Sequence, residues 1–294
     1  MLSRSHAPLL VVLAALAVSP PSPASGQQPP SGVAQTTPPA GAGRGNSPFM
    51  PPEPLDFSEH DRWTSIFDGR TLEGWSGNPE VWRVEEGAIV AESTAQRRIG
   101  STHIIWTGGE PSDFELKLEM KLDGDIHSGI AYRSFVDLTR ATGRQGAGPA
   151  RGGAGSAGPQ VPSDPRWTLY GPGLDFDQDR KMAGNVEERG TPRREIAWRG
   201  GIVRAEAGTR PRLIGTLGDA AALMNAIKAD GWNQVHIVAR GNTFTHIING
   251  QVMAVLIDDD PAYFRPAGRI GLQIEMYGTG KVHFRDIWLK VPGR

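Results

Sequence analysis

The sequence predicts an all-β domain: a sandwich of two packed antiparallel sheets carrying one short helix. Three observations lead there. Strand-like runs recur from Trp63 onward at a spacing of about 8–12 residues, the interval of sandwiches and barrels. Turn pairs such as Asn249-Gly250 sit between alternating runs. The composition combines 38 glycines and 24 prolines with only 38% hydrophobic residues, which suits many turns and disfavours a helical bundle.

Taken in order, Trp82-Arg83-Val84, the turn Glu85-Glu86-Gly87 and Ala88-Ile89-Val90-Ala91 read as a hairpin. Phe114-Glu115-Leu116-Lys117-Leu118-Glu119-Met120-Lys121 alternates apolar with charged, as a strand with one buried face does. Residues 235–257 form a meander broken at Gly241-Asn242 and Asn249-Gly250. Residues 269–276 and 281–290 supply two further strands. Asp219 caps a helix predicted over 220–229, ahead of Gly231. Residues 139–158 interrupt the pattern. They are rich in Gly and Ala, carry Arg140, Arg144 and Arg151 and hold no large apolar residue, which reads as a surface insertion.

The amino-terminal part of the 294 residues is different in kind. Arg4, the apolar residues 9–18 and the exit Ala24-Ser25-Gly26 have the build of a secretory signal over 1–26. The apolar run is far short of the ~20 residues needed to span a bilayer. Residues 27–56 are proline-rich and aperiodic, a spacer that cannot bury enough surface to offset its ordering entropy. The expected domain is 57–294, in a protein periplasmic or secreted. Zero cysteines exclude disulfides, thiolate metal sites, a cysteine nucleophile and a lipoprotein anchor. A net charge of −1 with 21% charged residues excludes a basic nucleic-acid platform.

Several segments, in order, resemble the 3-keto-disaccharide hydrolase domain family. They are Ile66-Phe67-Asp68-Gly69-Arg70 with Leu72-Glu73-Gly74-Trp75, then Trp82-Arg83-Val84-Glu85-Glu86-Gly87 and Ser128-Gly129-Ile130-Ala131-Tyr132-Arg133. Gly171-Pro172-Gly173-Leu174-Asp175-Phe176-Asp177 and Gly184-Asn185-Val186-Glu187 follow, and Trp232-Asn233, Asn249-Gly250, Gly271-Leu272-Gln273 and Phe284-Arg285-Asp286-Ile287 close the series. The resemblance implies a concanavalin A-like jelly-roll sandwich and a hydrolase of 3-keto-glycosides that needs no cofactor. The chain departs from the family pattern at Gly173, where many members carry glutamine, and at Glu275, near the usual histidine. It also lacks the tyrosine that commonly precedes the counterpart of Glu187.

Strand parity points to the same region independently. If Ile130 and Tyr132 pack inward, Arg133 faces the other way. If Leu174 and Phe176 pack inward, Asp175 and Asp177 face out, and in the last segment Gln273, Glu275 and Tyr277 do the same. Each alone reads as an ordinary solvated residue. Together they propose a sugar-holding face, with Asp175, Asp177, Glu275 and Arg133 as catalytic candidates. Gln273, Tyr277, Trp106, Trp167 and His127 are the binding candidates. Trp106, Trp167 and Trp198 lie near predicted loops and suit ring stacking, whereas Trp75, Trp82, Trp232 and Trp288 fall in strand motifs and are expected in the core.

Asp175-Phe176-Asp177-Gln178-Asp179 opens like a calcium loop. Arg180 stands where such a loop needs glycine, and Val186 where it needs the bidentate Glu, so an EF-hand is excluded. The histidines offer no zinc spacing. A 3-keto sugar suggests a mechanism. Its ketone acidifies the C2 hydrogen, a base removes that proton, the C1 oxygen leaves, and water adds back. In that scheme Asp175 or Asp177 is the base, Arg133 holds the enolate oxygen and Glu275 assists the leaving oxygen. The other readings are a non-catalytic carbohydrate-binding module on the same face and a structural adhesion domain. The expected partner is a saccharide, with no nucleic acid and no membrane span.

Overall fold

The computed structural model describes residues 55–140 and 161–293. The predicted signal (1–26), nearly all of the spacer (27–56) and the body of the 139–158 insertion lie outside the described residues. Among the described residues the strands are β1 (Thr64–Ser65), β2 (Trp75–Ser76), β3 (Arg83–Glu85), β4 (Ala88–Ser93), β5 (Thr102–Trp106) and β6 (Phe114–Val136). After a 3-10 turn (Pro165–Trp167) come β7 (Leu169–Asp177), β8 (Val186–Arg189), β9 (Arg194–Ala197), β10 (Gly201–Glu206) and β11 (Arg212–Thr216). Helix α1 (Ala220–Asn225) precedes β12 (Asn233–Arg240), β13 (Thr243–Ile248), β14 (Gln251–Asp259) and β15 (Arg269–Lys290).

Two layers arise because β6 and β15 are long enough to serve both. The start of β6 pairs with β12 and with the end of β15. Beyond a corner at Gly124, the rest of β6 pairs with β7 and with the start of β15. One layer therefore runs β11-β10-β14-β13-β12-β6-β15-β4-β3, and the other β9-β8-β7-β6-β15-β5-β2. Neighbours are antiparallel except β10, which lies parallel to β14. The corner depends on glycine. Gly124 has φ +90° and Gly278 φ +75°, and a Cβ on Gly278 would lie 1.8 Å from the Asp125 carbonyl oxygen.

Side chains from both layers form one buried cluster, with Leu116, Leu118, Met120, Val235 and Ile237 from the first and Ile104, Ile130, Leu174, Phe176 and Leu272 from the second. Each such burial stabilises by roughly 1.5–3 kcal/mol. One polar link crosses the interior. The Tyr132 hydroxyl from the second layer lies 2.8 Å from His246 Nε2 of the first, while His246 Nδ1 lies 3.3 Å from the Gly184 carbonyl. Donation from Tyr132 and from Nδ1–H satisfies every group. A second tie is ionic: Arg193, on the β8–β9 turn, makes paired hydrogen bonds with both Glu188 and Asp258.

Three expectations change. Asp219 caps α1 through a 2.8 Å bond from Ala222 N, but the helix ends at Asn225 rather than 229. There Asn249 donates to the Ala226 carbonyl, and Asn233 takes the Lys228 N–H, so tertiary partners replace the next helical turn. Lys117, predicted on a solvated face, is fully buried. Its ammonium donates to the carbonyls of Phe57 and Glu59 and sits 4.6 Å from the Trp63 ring, tying the incoming chain to β6. Trp75 and Trp82 are core residues, but Trp232 and Trp288 are only partly buried, under Arg285 and His60 respectively.

Candidate functional site

The candidate site lies on the face of the second layer turned away from the core. Its register is explicit. His103, Gln273, Gly129 and Asp175 stand in one row across β5, β15, β6 and β7. The next row on that face reads Ile105, Gly271, Ala131, Gly173, Glu187 and Glu195. Directly opposed residues share a face, so these two rows bring together side chains from six strands. Small residues fill the middle of both rows. A Cβ on Gly129 would meet Gln273 Oε1 at 2.7 Å, so glycine there lets the glutamine lie across the strand. Over Gly173 a Cβ would meet only the backbone of Ile130 and Ala131, which leaves a low floor between Asp175 and Glu187.

Around that floor stands an acidic cluster with a cation in it. Arg189 donates to Glu187 at 2.8 Å and also to Glu275, and Gln273 Nε2 donates to Glu275 at 2.8 Å. The two contacts to Glu275 fall on the same oxygen, and the Arg189 contact to Glu187 uses one oxygen, so each carboxylate keeps a second oxygen for other partners. Asp175 is 8% exposed, and its carboxyl has no hydrogen bond among the described residues. Burial, then the charges of Glu187, Glu275 and Asp177, push its pKa well above the carboxylate range, and Arg189 offsets this only in part. Burial also raises Glu187, against the pull of Arg189. Burial works against the Arg189 charge, but Glu187 and Glu275 outweigh it and hold the guanidinium protonated. The arrangement offers a carboxyl biased towards its protonated form beside carboxylates fixed by an arginine, the pairing that acid–base chemistry requires.

The predicted residues divide into three groups. Asp175, Gln273 and Glu275 come together, as parity implies, but they are buried or nearly so rather than solvated. Asp177, His127 and Tyr277 gather beside them: His127 is opposite Asp177 across the β6–β7 pair, and its ring lies 5.9 Å from that of Tyr277. The Asp177 carboxylate is engaged in structure. Its oxygens accept from the backbone N–H groups of Lys181 at 3.1 Å, Met182 at 3.0 Å and Ala183 at 2.9 Å, closing the loop after β7. Burial and a hydrogen bond with Asp179 raise its pKa to about 6, against the Met182 N–H that lowers it. A base needs an oxygen aimed at substrate, and those of Asp177 are aimed at its own loop.

Arg133 does not belong to the site. The expected alternation fails because β6 carries a bulge between Ala131 and Phe135, where Arg133 adopts φ +44°. Its fully buried guanidinium bonds the carbonyls of Ser112 and Gly241 at 2.8 and 2.6 Å and Asp113 at 3.1 Å, and packs 5.1 Å from the Phe244 ring. It closes the end of the β12–β13 hairpin instead of facing Asp175.

Trp167 and Trp106 lie towards the β5–β2 margin, Trp106 packing against the interior cluster. Trp167 packs on Ile105, Ala131 and Leu169 and donates through Nε1 to Ser76 at 3.2 Å. Trp106, with Ser76, Ile105, Arg166 and Arg269, lines a hollow of about 290 Å³ on the far side of Ile105. Trp198 is 55% exposed. At the opposite margin Arg140, where the insertion begins, covers the Tyr170 ring at 4.5 Å and donates to the Gly190 carbonyl.

Sequence reasoning passed over His103, Glu187 and Arg189 as site residues. Glu187 and Arg189 alternate with Val186 and the buried, charged Glu188 on a four-residue strand, so no apolar–polar alternation stands out. His103 sits in Thr102-His103-Ile104-Ile105-Trp106, where its neighbours suggest a core strand. Only the pairing of His103 with Gln273 brings it to the cluster. Among the described residues no group of three or more histidine or acidic side chains is arranged to hold a metal ion. No helix there is long and apolar enough to cross a membrane.

Comparison with known proteins gives the following. Residues 62–290 match the 3-keto-alpha-glucoside-1,2-lyase-like domain. Among solved structures, the chain is similar to a candidate glycosyl hydrolase of Parabacteroides distasonis, at 21% identity over 78% of this chain and 98% of that one, with a TM-score of 0.46. It is similar to the carbohydrate-binding module CBM66 of Bacillus subtilis at 11% identity, covering 74% and 95%, with a TM-score of 0.42. A Bacillus subtilis protein of galectin-like fold matches at 11% identity over 79% and 90%, also with a TM-score of 0.42. No curated protein matches.

Proposed function

This chain belongs to the 3-keto-alpha-glucoside-1,2-lyase-like domain family, and we propose that its acidic face cleaves 3-keto-glycosides by elimination and rehydration. The observation that carries this reading is the contrast within one cluster. Asp175 is buried, has no hydrogen bond among the described residues and is pushed by burial towards its protonated form, while Glu275 is anchored by Arg189 and Gln273 through one oxygen.

In the proposed reaction Glu275 is the base, using its second oxygen. It takes the C2 proton, and the electron pair of that C–H bond forms a C2–C3 double bond as the ketone becomes an enolate. The enolate then returns its electrons, the C1–O bond breaks, and Asp175 gives its proton to the departing oxygen. Water adds to C1 of the enone and a proton returns to C2, so one glycoside and one water yield one 3-keto sugar and one alcohol. Asp175 suits the acid role because burial and the neighbouring carboxylates raise its pKa well above the carboxylate range, towards the protonated form. Arg189 fixes Glu275 and Glu187 and limits the mutual repulsion of the carboxylates. Export to the periplasm or beyond, read from residues 1–26, would place this activity on saccharides outside the cytoplasm.

The test is incubation with 3-keto-trehalose and with methyl 3-keto-α-glucopyranoside, following released glucose or methanol. Wild type should turn over. Asp175→Asn and Glu275→Gln should each lose roughly 10²-fold or more in kcat, the usual share of a general acid or base. Saturable binding of the keto sugar without any release would instead assign the face to a carbohydrate-binding module.

A further inference from the structure

With Arg133 elsewhere, the elimination lacks a donor for the oxygen on which negative charge develops. Arg189 is engaged by two carboxylates, and the Gln273 amide donates to Glu275. We propose that His103 supplies this donor, its Nε2–H hydrogen-bonding the C3 ketone oxygen of the substrate and holding it as the enolate forms. The inference deepens the reading above and rests on it for the identity of the ketone.

Three observations carry it. First, His103 is 1% exposed, and its Nε2 has no partner among the described residues, a buried polar atom that calls for an explanation. Second, its position is right. His103 is paired with Gln273, in the row that continues through Gly129 to Asp175, where the Gln273 side chain lies over Gly129. Third, the tautomer follows from the backbone around Nδ1, which lies 3.3 Å from both Leu169 N and the Trp167 carbonyl. The Leu169 N–H is aimed at Nδ1 and donates to it, which makes Nδ1 the acceptor and leaves the ring proton on Nε2. The two ring nitrogens diverge, so with Nδ1 on the Trp167–Leu169 backbone, Nε2 points away from it. Burial and the nearby Arg189 charge keep this imidazole neutral, so it donates without adding a second cation.

Histidine-selective ¹⁵N NMR on the intact protein, with His103 assigned through His103→Gln, tests the proposal before any turnover is needed. The wild type should show Nε2 protonated and Nδ1 unprotonated. Saturating methyl 3-keto-α-glucopyranoside should move the Nε2–H signal, and methyl α-glucopyranoside, which lacks the ketone, should not. In kinetics, folded His103→Phe should lose about 10²-fold in kcat, the effect of one oxyanion donor, with KM within about threefold. A proton found on Nδ1, an Nε2 signal unmoved at saturation, or wild-type kcat in folded His103→Phe overturns the proposal. If Nε2–H moves but no alcohol is released, the lyase reading falls and the His103 contact stands. If turnover is normal and Nε2–H does not move, His103 alone falls. Should the keto sugar neither bind nor react, both fall.

Discussion

At the scale of single residues, two aspartates two positions apart on one strand do different work. Asp175 has no hydrogen-bond partner among the described residues, so Asp175→Asn should leave the fold intact while removing the proposed acid. Its folded-state pKa is raised, so its neutral form is the one the fold favours. Stability referable to it is complete below the unfolded pKa, near 4, and is lost as pH rises through the folded value. Melting temperature against pH should therefore decline less steeply above pH ~4 in Asp175→Asn than in wild type. Asp177→Asn should behave in the opposite manner. An amide cannot accept all three N–H groups of residues 181–183, and leaving one without an acceptor costs roughly 1–3 kcal/mol. An Asp177→Asn variant as stable as wild type would contradict this assignment. Parity placed Asp175, Gln273 and Glu275 correctly because the rule needs only a regular strand. It misplaced Arg133 because a one-residue bulge reverses faces, and nothing in Tyr132-Arg133-Ser134 announces a bulge. That Asp177 caps its own loop was also beyond parity, which says where a side chain points and not what meets it.

At the scale of elements, the corner that lets β6 and β15 serve both layers is the feature on which the site depends. Gly278→Ala would impose a positive φ on a residue with a Cβ and drive that Cβ into the Asp125 carbonyl. The cost should exceed the ~1–3 kcal/mol of an ordinary left-handed residue. Gly250→Ala is the matched control, with φ +77° and nothing within 4 Å of the new Cβ. Thermal unfolding should rank wild type above Gly250→Ala and Gly250→Ala above Gly278→Ala; equal losses would show that the corner is not tight. Much at this scale was readable from sequence: the 83–91 and 235–257 hairpins formed where turn pairs and alternation placed them. The shared strands were not, because residues 269–276 and 281–290 read as two elements separated by Gly278 and Gly280. Those glycines mark a bend within one strand, a distinction set by tertiary pairing. The helix was read too long for the same reason: Asn233 and Asn249 reach its end from distant sequence.

At the scale of the molecule, two packed layers hold an apolar interior crossed by the Tyr132–His246 bond. Burial lowers the His246 pKa to about 4, so below pH ~6.5 the unfolded chain takes up a proton that the folded one refuses. Stability should fall as pH drops from 6.5 towards 4, by an amount on the order of 3 kcal/mol from this residue. Denaturant unfolding of His246→Gln should have a visibly flatter profile across that window; a slope unchanged from wild type would remove His246 from the account. The outer face of the second layer carries the functional claim. That claim is elimination through C2, and it is tested most directly by turnover of methyl 3-keto-α-glucopyranoside in D₂O, with the product examined at C2. Elimination and rehydration should place one solvent deuterium at C2 for every methanol released, faster than substrate or product exchanges without the protein. Methanol released with the C2 hydrogen retained would contradict it and assign the acidic face to direct hydrolysis.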